Sequence, residues 1–242
     1  MSNPILNDKF TERTTIIEGE TMTVNGTLQA AGILGLIVLA AASVVWSRFA
    51  AGHTDLATML TFGGAFVGFI IAMIICFTKN KHLTLVYAAA EGCFLGGLSF
   101  IMEQAFPGIV AQAFAGTFAA LFAMLILYRA GIIRCTEKFK SVIMIATISV
   151  AAVYLINLIG HFFHMSVPFI TASDNSPIGI GVTAVIVVLA ALNLILDFDF
   201  IERGAQMMLP RDYEWYGAFG LMITIVWLYV EILKLLAKTR RR

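Results

Sequence analysis

Four acidic side chains stand in or beside long apolar stretches of the chain. They are Glu91 in "YAAAEGCFLGGLS", Asp197 and Asp199 in "LNLILDFDFIERG", and Glu231 in "IVWLYVEILKLLAK". A carboxylate in such surroundings is costly unless it faces a partner, the interior of a helix bundle or water. The same group can hold a proton, or bind a hard cation through its oxygens. These acids are therefore the residues that could carry chemistry.

The two neighbouring aspartates point to different sides of a helix, because residues i and i+2 stand about 200° apart. Asp197 follows Asn193 by one turn, which places two oxygen-bearing side chains on one stripe of an apolar helix. Asp199 precedes Arg203 by four residues, a favourable spacing for an ion pair. We interpret Asp197 as the functional candidate, with a helix-end acid in interfacial water as the alternative. Asp199 and Arg203 are predicted to form a salt bridge at the cytoplasmic end.

Glu231 lies among large apolar residues, and two partners are open to it. One is Lys234, three residues further on and near a membrane interface. The other is Asp197, because the last two apolar stretches follow each other and can lie side by side. Two carboxylates in a low-dielectric site cannot both ionise cheaply, so they would share one proton. This pair would form a latch that is shut while the proton is shared and opens, or admits a cation, when both acids are charged.

Glu91 has small residues around it at a spacing of four, namely Ala88, Gly92 and Gly96. Such a row lets a second helix approach closely inside a membrane. Glu91 is then either a neutral, hydrogen-bonded packing residue or an ion or proton site that lines a cavity.

The composition identifies the setting of these acids. Of 242 residues, 60% are hydrophobic and 13% are charged, against roughly 45–50% and 25% in soluble domains. Apolar runs of about 20 residues, long enough to cross a bilayer as helices, recur along the chain. We predict an all-α integral membrane protein with a polar N-terminal segment (1–24), one transmembrane domain (25–237) and a basic tail (238–242). The predicted spans are 26–47, 57–77, 83–104, 108–128, 140–162, 177–198 and 216–237.

The lysines and arginines of the short loops favour an N-terminus in the cytoplasm. Ten of them then lie on the cytoplasmic side, whereas the loops on the other side hold only Arg48, as the positive-inside rule requires. The tail "KTRRR" does not fit this pattern if the seventh segment crosses the membrane fully. Either seven spans leave a basic tail outside, or the last apolar segment re-enters and returns.

The three acidic segments, in their order and spacing, resemble the Bax inhibitor-1 (transmembrane Bax inhibitor motif) family in its bacterial YccA-like branch. "AAAEGCFLGG", "LNLILDFDFIERG" and "WLYVEILKLLAK" carry the resemblance, which covers nearly the whole chain. It implies six helices around a central seventh, and a place in the bacterial cytoplasmic membrane. It also implies pH-sensitive calcium leak, with two aspartates between helices six and seven as latch and proton sensor.

Carried over to this chain, the two latch aspartates fall on Asp197 and Glu231, and the acid of helix three falls on Glu91. The chain departs from the family pattern in two places. A glutamate replaces the aspartate in "LYVEIL", and the connection between the two acids is longer, with "AQMMLPRDYEWYG" inserted. Both departures bear on the geometry of the expected pair.

The resulting expectation is a non-enzymatic, pH-sensitive cation leak channel, with calcium as the ion that the resemblance implies. Glu91, Asp197, Asn193 and Glu231 would offer oxygen ligands for weak, transient Ca²⁺ binding, as conduction requires. We expect no permanent cofactor and no nucleic-acid partner. The expected partners are the lipid bilayer, calcium ions and protons. A proton-coupled transporter would use the same acids. A regulatory protein that restrains a membrane protease, with the N-terminal segment as the contact, is the other alternative.

Overall fold

The computed structural model describes residues 20–162 and 175–241. Within these residues, seven helices are long and apolar enough to cross a membrane, and they follow one another with short connections. They are α1 (Val24–Ala50), α2 (Thr54–Thr78), α3 (Lys81–Ala105), α4 (Ile109–Arg129), α5 (Glu137–Phe162), α6 (Pro177–Gln206) and α7 (Asp212–Arg240). The seven predicted spans and the all-helical fold class are confirmed.

The sixth helix extends eight residues beyond the predicted span. It begins where expected, since the Ser176 hydroxyl accepts from the Gly179 amide and Pro177 occupies the first turn, where its missing N–H is no loss. It ends only at Gln206. Hydropathy locates the apolar part of a helix and misses its polar continuation. In the structure, both Asp197 and Asp199 lie inside one continuous helix.

The seventh helix is central and continuous. It packs against α1, α3, α4 and α6, and its 29 residues correspond to a length of about 43 Å. A re-entrant last segment is therefore wrong. We call the end of the bundle with residues 20–23, 79–80, 130–136 and 207–211 the basic-loop end. The opposite end, with residues 51–53, 106–108, 175–176 and 241, is the C-terminal end.

The predicted row of small residues on α3 is confirmed as a close helix contact. A Cβ atom built on Gly92 would lie 2.5 Å from the carbonyl oxygen of Val38, and one on Gly96 would lie 2.5 Å from that of Ala42. Any side chain at these glycines would push α1 away. The row thus fixes α3 against α1 and sets the direction in which Glu91, on another face of α3, must point.

At the basic-loop end, residues 20–23 are joined to the connection between α6 and α7. The Met22 amide donates to the carbonyl of Leu209 at 2.7 Å, and the Arg211 amide donates to that of Glu20 at 3.0 Å. Met22 is buried, with 2% of its surface exposed. We call residues 20–23 together with 209–214 the N-terminal clip. Of the stretch "AQMMLPRDYEWYG" that the sequence suggested as a long connection, only residues 207–211 connect the helices, because 205–206 end α6 and 212–217 begin α7.

The clip also completes the start of α1. One carboxylate oxygen of Glu214, on α7, accepts from the amide of Thr23 at 2.9 Å and from its hydroxyl at 2.8 Å. The Thr23 hydroxyl in turn accepts from the Gly26 amide at 2.9 Å. A negative charge at a helix N-terminus is favourable because the amide groups there lack partners and carry partial positive charge.

Candidate functional site

Asp197 points from α6 at the central helix. Its Oδ1 lies 3.7 Å from the position that a Cβ on Gly220 would take, and nearby the Thr224 hydroxyl donates to the Gly220 carbonyl at 3.3 Å. The absence of a side chain at Gly220 makes room for the carboxyl group. The other oxygen, Oδ2, is buried and has no hydrogen-bond partner among the described residues. Among the described residues, no lysine, arginine or histidine forms a salt bridge with Asp197.

The carboxylate of Glu91 faces α2: its Oε2 lies 3.3 Å from the position that a Cβ on Gly68 would take. Glu91 lies at a depth similar to that of Asp197. It stands ten residues from the start of α3, or about 15 Å from the basic-loop end; Asp197 stands nine residues before the end of α6, or about 14 Å. Tyr87, which lies next to Glu91 on the same helix, packs edge-on against Phe219 of α7, with 5.0 Å between the ring centres. Asp197 thus contacts α7 directly, whereas Glu91 lies between α3 and α2 and reaches α7 only through Tyr87.

Glu231 is held by partners on two helices. Its Oε1 accepts from the Tyr154 hydroxyl of α5 at 2.8 Å and from the Lys234 ammonium at 2.7 Å, and only 1% of its side chain is exposed. The ammonium also lies over the Tyr154 ring, 4.5 Å from its centre. Of the two partners that the sequence left open, the structure has Lys234.

Asp197 and Glu231 are not neighbours. Glu231 stands 19 residues from the start of α7, whereas Asp197 stands nine residues before the end of α6. Both counts begin at the basic-loop end, so the acids differ in depth by about 15 Å. Antiparallel helices bring together residues at equal distances from their connection, and Asp197 and Glu231 lie at different distances from it. The expected latch pair is therefore corrected.

The predicted salt bridge between Asp199 and Arg203 is confirmed, in a more buried setting than expected. The Arg203 Nε lies 2.9 Å from the carboxylate, and Lys140 of α5 lies 3.9 Å away. Asp199 itself is 6% exposed. Burial, and after it the negative charge of Asp199, raise the pKa of the nearby Cys135 thiol to about 11. This cluster ties the connection before α5 to α6.

Asn193 serves a helix contact rather than the carboxyl site. Its amide nitrogen donates to the Thr147 hydroxyl of α5 at 2.9 Å and to the carbonyl of Leu189 at 2.9 Å. Across residues 20–162 and 175–241, no three His, Cys, Asp or Glu side chains come together as metal ligands. The expected joint calcium set of Glu91, Asp197, Asn193 and Glu231 is corrected accordingly: its members lie on different sides and at different depths.

Several site residues were missed from the sequence. Tyr154, Tyr87 and Thr224 each lie beside one of the acids. Tyr154 and Thr224 belong to apolar spans in which nothing marks them out. Only Tyr87 carries a local signal, since it precedes Glu91 by four residues. The suggested protease contact concerns residues 1–24, of which 1–19 lie outside the described residues.

Seven membrane-crossing helices, a central seventh helix and acids at membrane depth define a multi-pass membrane protein with ionisable groups inside the bundle. The profile of the family described as "Bax inhibitor 1 like" matches residues 3–241. The chain belongs to this family, which is not a family of enzymes and is linked to calcium leak across membranes. No curated protein sequence matches the chain.

Proposed function

We propose that this protein is a cation leak channel of a bacterial cytoplasmic membrane, in which Asp197 is the acid that takes up either a proton or the passing cation. Glu91, at a similar depth between α3 and α2, is the second acid of the proposed path. The family link to calcium makes Ca²⁺ the first ion to test. The expected gate between Asp197 and Glu231 is not part of this proposal.

The observation that carries the proposal is the difference between the buried acids. Each of Asp197, Asp199 and Glu231 has one buried oxygen without a hydrogen-bond partner in the described part of the chain. Asp199 has Arg203 and Lys140 beside it, and Glu231 has Lys234. Among the described residues, Asp197 has no such cation beside it. A buried carboxylate without a counter-charge is expensive, so this group binds a proton or a cation.

Proton and cation compete for the same oxygens, since a hard cation binds the ionised carboxylate. Cation flux is therefore expected to rise with pH as Asp197 loses its proton. Two single acids on different helices bind more weakly than a dense ligand cage, and weak binding is what conduction needs. Glu231 is neutralised by Lys234 and contributes little to this competition.

The test is cation flux into liposomes that contain the purified protein, measured across pH with Ca²⁺, Na⁺ and K⁺ compared. Asp197→Asn should abolish the pH dependence of flux and change its magnitude at least several-fold. The matched control is Glu202→Gln, which removes one acid from the same helix at an exposed position; its flux should follow the wild type. Wild-type pH dependence in Asp197→Asn would refute the proposed role of this acid.

The same assay separates a channel from a proton-coupled transporter. A leak channel passes cations down their gradient without a coupled substrate, so an imposed proton gradient alone should drive no uphill cation movement. Accumulation of Ca²⁺ against its gradient on acidification of one side would favour the transporter.

A further inference from the structure

Met22 fills a space that α6 and α7 leave between them at the basic-loop end. Each helix has a glycine there. A Cβ atom built on Gly204 of α6 would lie 2.7 Å from the sulfur of Met22, and one built on Gly217 of α7 would lie 3.4 Å from its methyl group. Neither glycine has a side chain to close this space, so a residue from outside the membrane-crossing helices fills it. We call the contact between α6 and α7 from these two glycines inward to Asp197 the α6–α7 seam.

The seam leads from Met22 to Asp197. On α6, Ile201 and Asp197 follow inward from Gly204 at spacings of three and four residues, which places all three on one face of the helix. The Ile201 side chain lies 3.4 Å from the Cβ position on Gly217, directly behind Met22. Counted from the end of α6, Gly204 lies about 3 Å and Asp197 about 14 Å inward. Two apolar side chains, Met22 and Ile201, therefore stand in series between the basic-loop end and the carboxyl group.

The N-terminal clip holds Met22 in the seam. The two backbone hydrogen bonds of the clip, to Leu209 and from Arg211, lie on either side of Met22 in the chain, and an ion pair joins Glu20 to Arg211. Residues 20–22 precede α1, whose first residue is Val24. Met22 can therefore leave the seam while all seven membrane-crossing helices keep their own hydrogen bonds. The outer of the two apolar side chains is thus a removable part of the packing.

We propose that Met22 is a plug that closes the α6–α7 seam at the basic-loop end, and that release of the N-terminal clip lets water and cations reach Asp197. This role rests on the proposed leak function for what passes through the seam, and it adds the residue that closes the path. An apolar constriction closes a path because it excludes the water that a cation carries with it. Met22 forms the outer constriction, and Ile201 forms the inner one.

Access to the seam can be measured independently of transport. Ile201→Cys, in a chain whose three native cysteines are replaced by serine, places a thiol directly behind the plug. In lipid nanodiscs, a small cationic methanethiosulfonate should modify this thiol at least ten-fold faster when Met22→Ala is added. Met207→Ala is the matched control, because it removes the same side chain at the same end from a position that is 72% exposed; it should leave the rate unchanged. Equal rates with and without Met22→Ala would overturn the plug.

A second thiol separates an open seam from a general loosening of the bundle. Ser99 is buried between α3 and α7, where its hydroxyl lies 2.7 Å from that of Tyr229, and it stands 18 residues from the start of α3, or about 27 Å from the basic-loop end. Modification of Ser99→Cys should stay slow when Met22→Ala is added. A similar acceleration at both thiols would show that the bundle has loosened, and it would overturn the plug.

Cation flux into liposomes distinguishes the plug from the proposed function. Met22→Ala should raise the flux at least several-fold, Asp197→Asn should remove most of that increase, and Met207→Ala should follow the wild type. Faster modification of Ile201→Cys without cation flux in any of these proteins would support the plug and refute the leak channel. Unchanged modification, together with a flux that still depends on Asp197, would refute the plug and leave the channel.

Discussion

Replacing Asp199 by asparagine removes one charge from the cluster that joins α6 to the connection before α5, while the size of the side chain stays almost the same. The magnitude follows from the burial of the two partners. Asp199 has 9% of its side chain exposed, and Arg203 has 46%. Exposed ion pairs contribute about 0–1 kcal/mol, and breaking a buried one costs about 3–5 kcal/mol. With one buried and one half-exposed partner, we expect a loss of about 2 kcal/mol in the free energy of unfolding, as for hydrogen bonds to charged groups.

The assay is unfolding in mixed micelles of a mild detergent and sodium dodecyl sulfate, followed by tryptophan fluorescence. Glu137→Gln is the matched control, because Glu137 pairs with the same arginine at 3.5 Å but is 79% exposed. That variant should lose less than about 0.5 kcal/mol. Equal losses in the two variants would show that burial does not decide the strength of this cluster, and the reasoning would fail.

Three further results are expected. Asp199→Asn should lower the pKa of Cys135, because it removes a negative charge that raises this pKa. In a variant whose other two cysteines are replaced by serine, a small methanethiosulfonate should then modify Cys135 faster at pH 8. An unchanged rate would contradict this expectation. Gly92→Ala should destabilise the bundle by about 1–3 kcal/mol through overpacking against α1, whereas Gly35→Ala, at an open position, should not; comparable unfolding curves would disprove the close contact. Lys234→Met should lower the free energy of unfolding by about 3 kcal/mol in the same assay, because it leaves the buried Glu231 without its cation. An unchanged free energy of unfolding would mean that Glu231 is protonated.

The part of the site that the sequence predicted correctly is local. Asp199 and Arg203 are four residues apart on one helix, and the spacing alone brings them together. The row with Gly92 and Gly96 is likewise a property of one helix, and it predicts a close partner without naming it. The seven spans follow from hydropathy, since the cost of exposing the backbone in a bilayer leaves few alternatives to helices.

Contacts between helices were predicted less well, because they depend on depth and rotation. The pairing of Asp197 with Glu231 rested on the order of the helices, but their distances from the shared connection differ by ten residues. Tyr154 became a partner of Glu231 through the rotation of α5, which is almost uniformly apolar and therefore offers no stripe to orient it. Glu214, near the start of α7, gave no sign that it would meet Thr23.

The N-terminal clip has a consequence for how the protein is made. The first helix enters the membrane early in synthesis, and Thr23 can cap the Gly26 amide as soon as α1 forms. The Thr23 amide and hydroxyl receive their acceptor only from Glu214, 191 residues later in the chain. Until α7 is made, these two groups must donate to water. The last helix of the chain thus completes the cap of the first one, and a truncated or stalled product would display the start of α1 without its carboxylate partner.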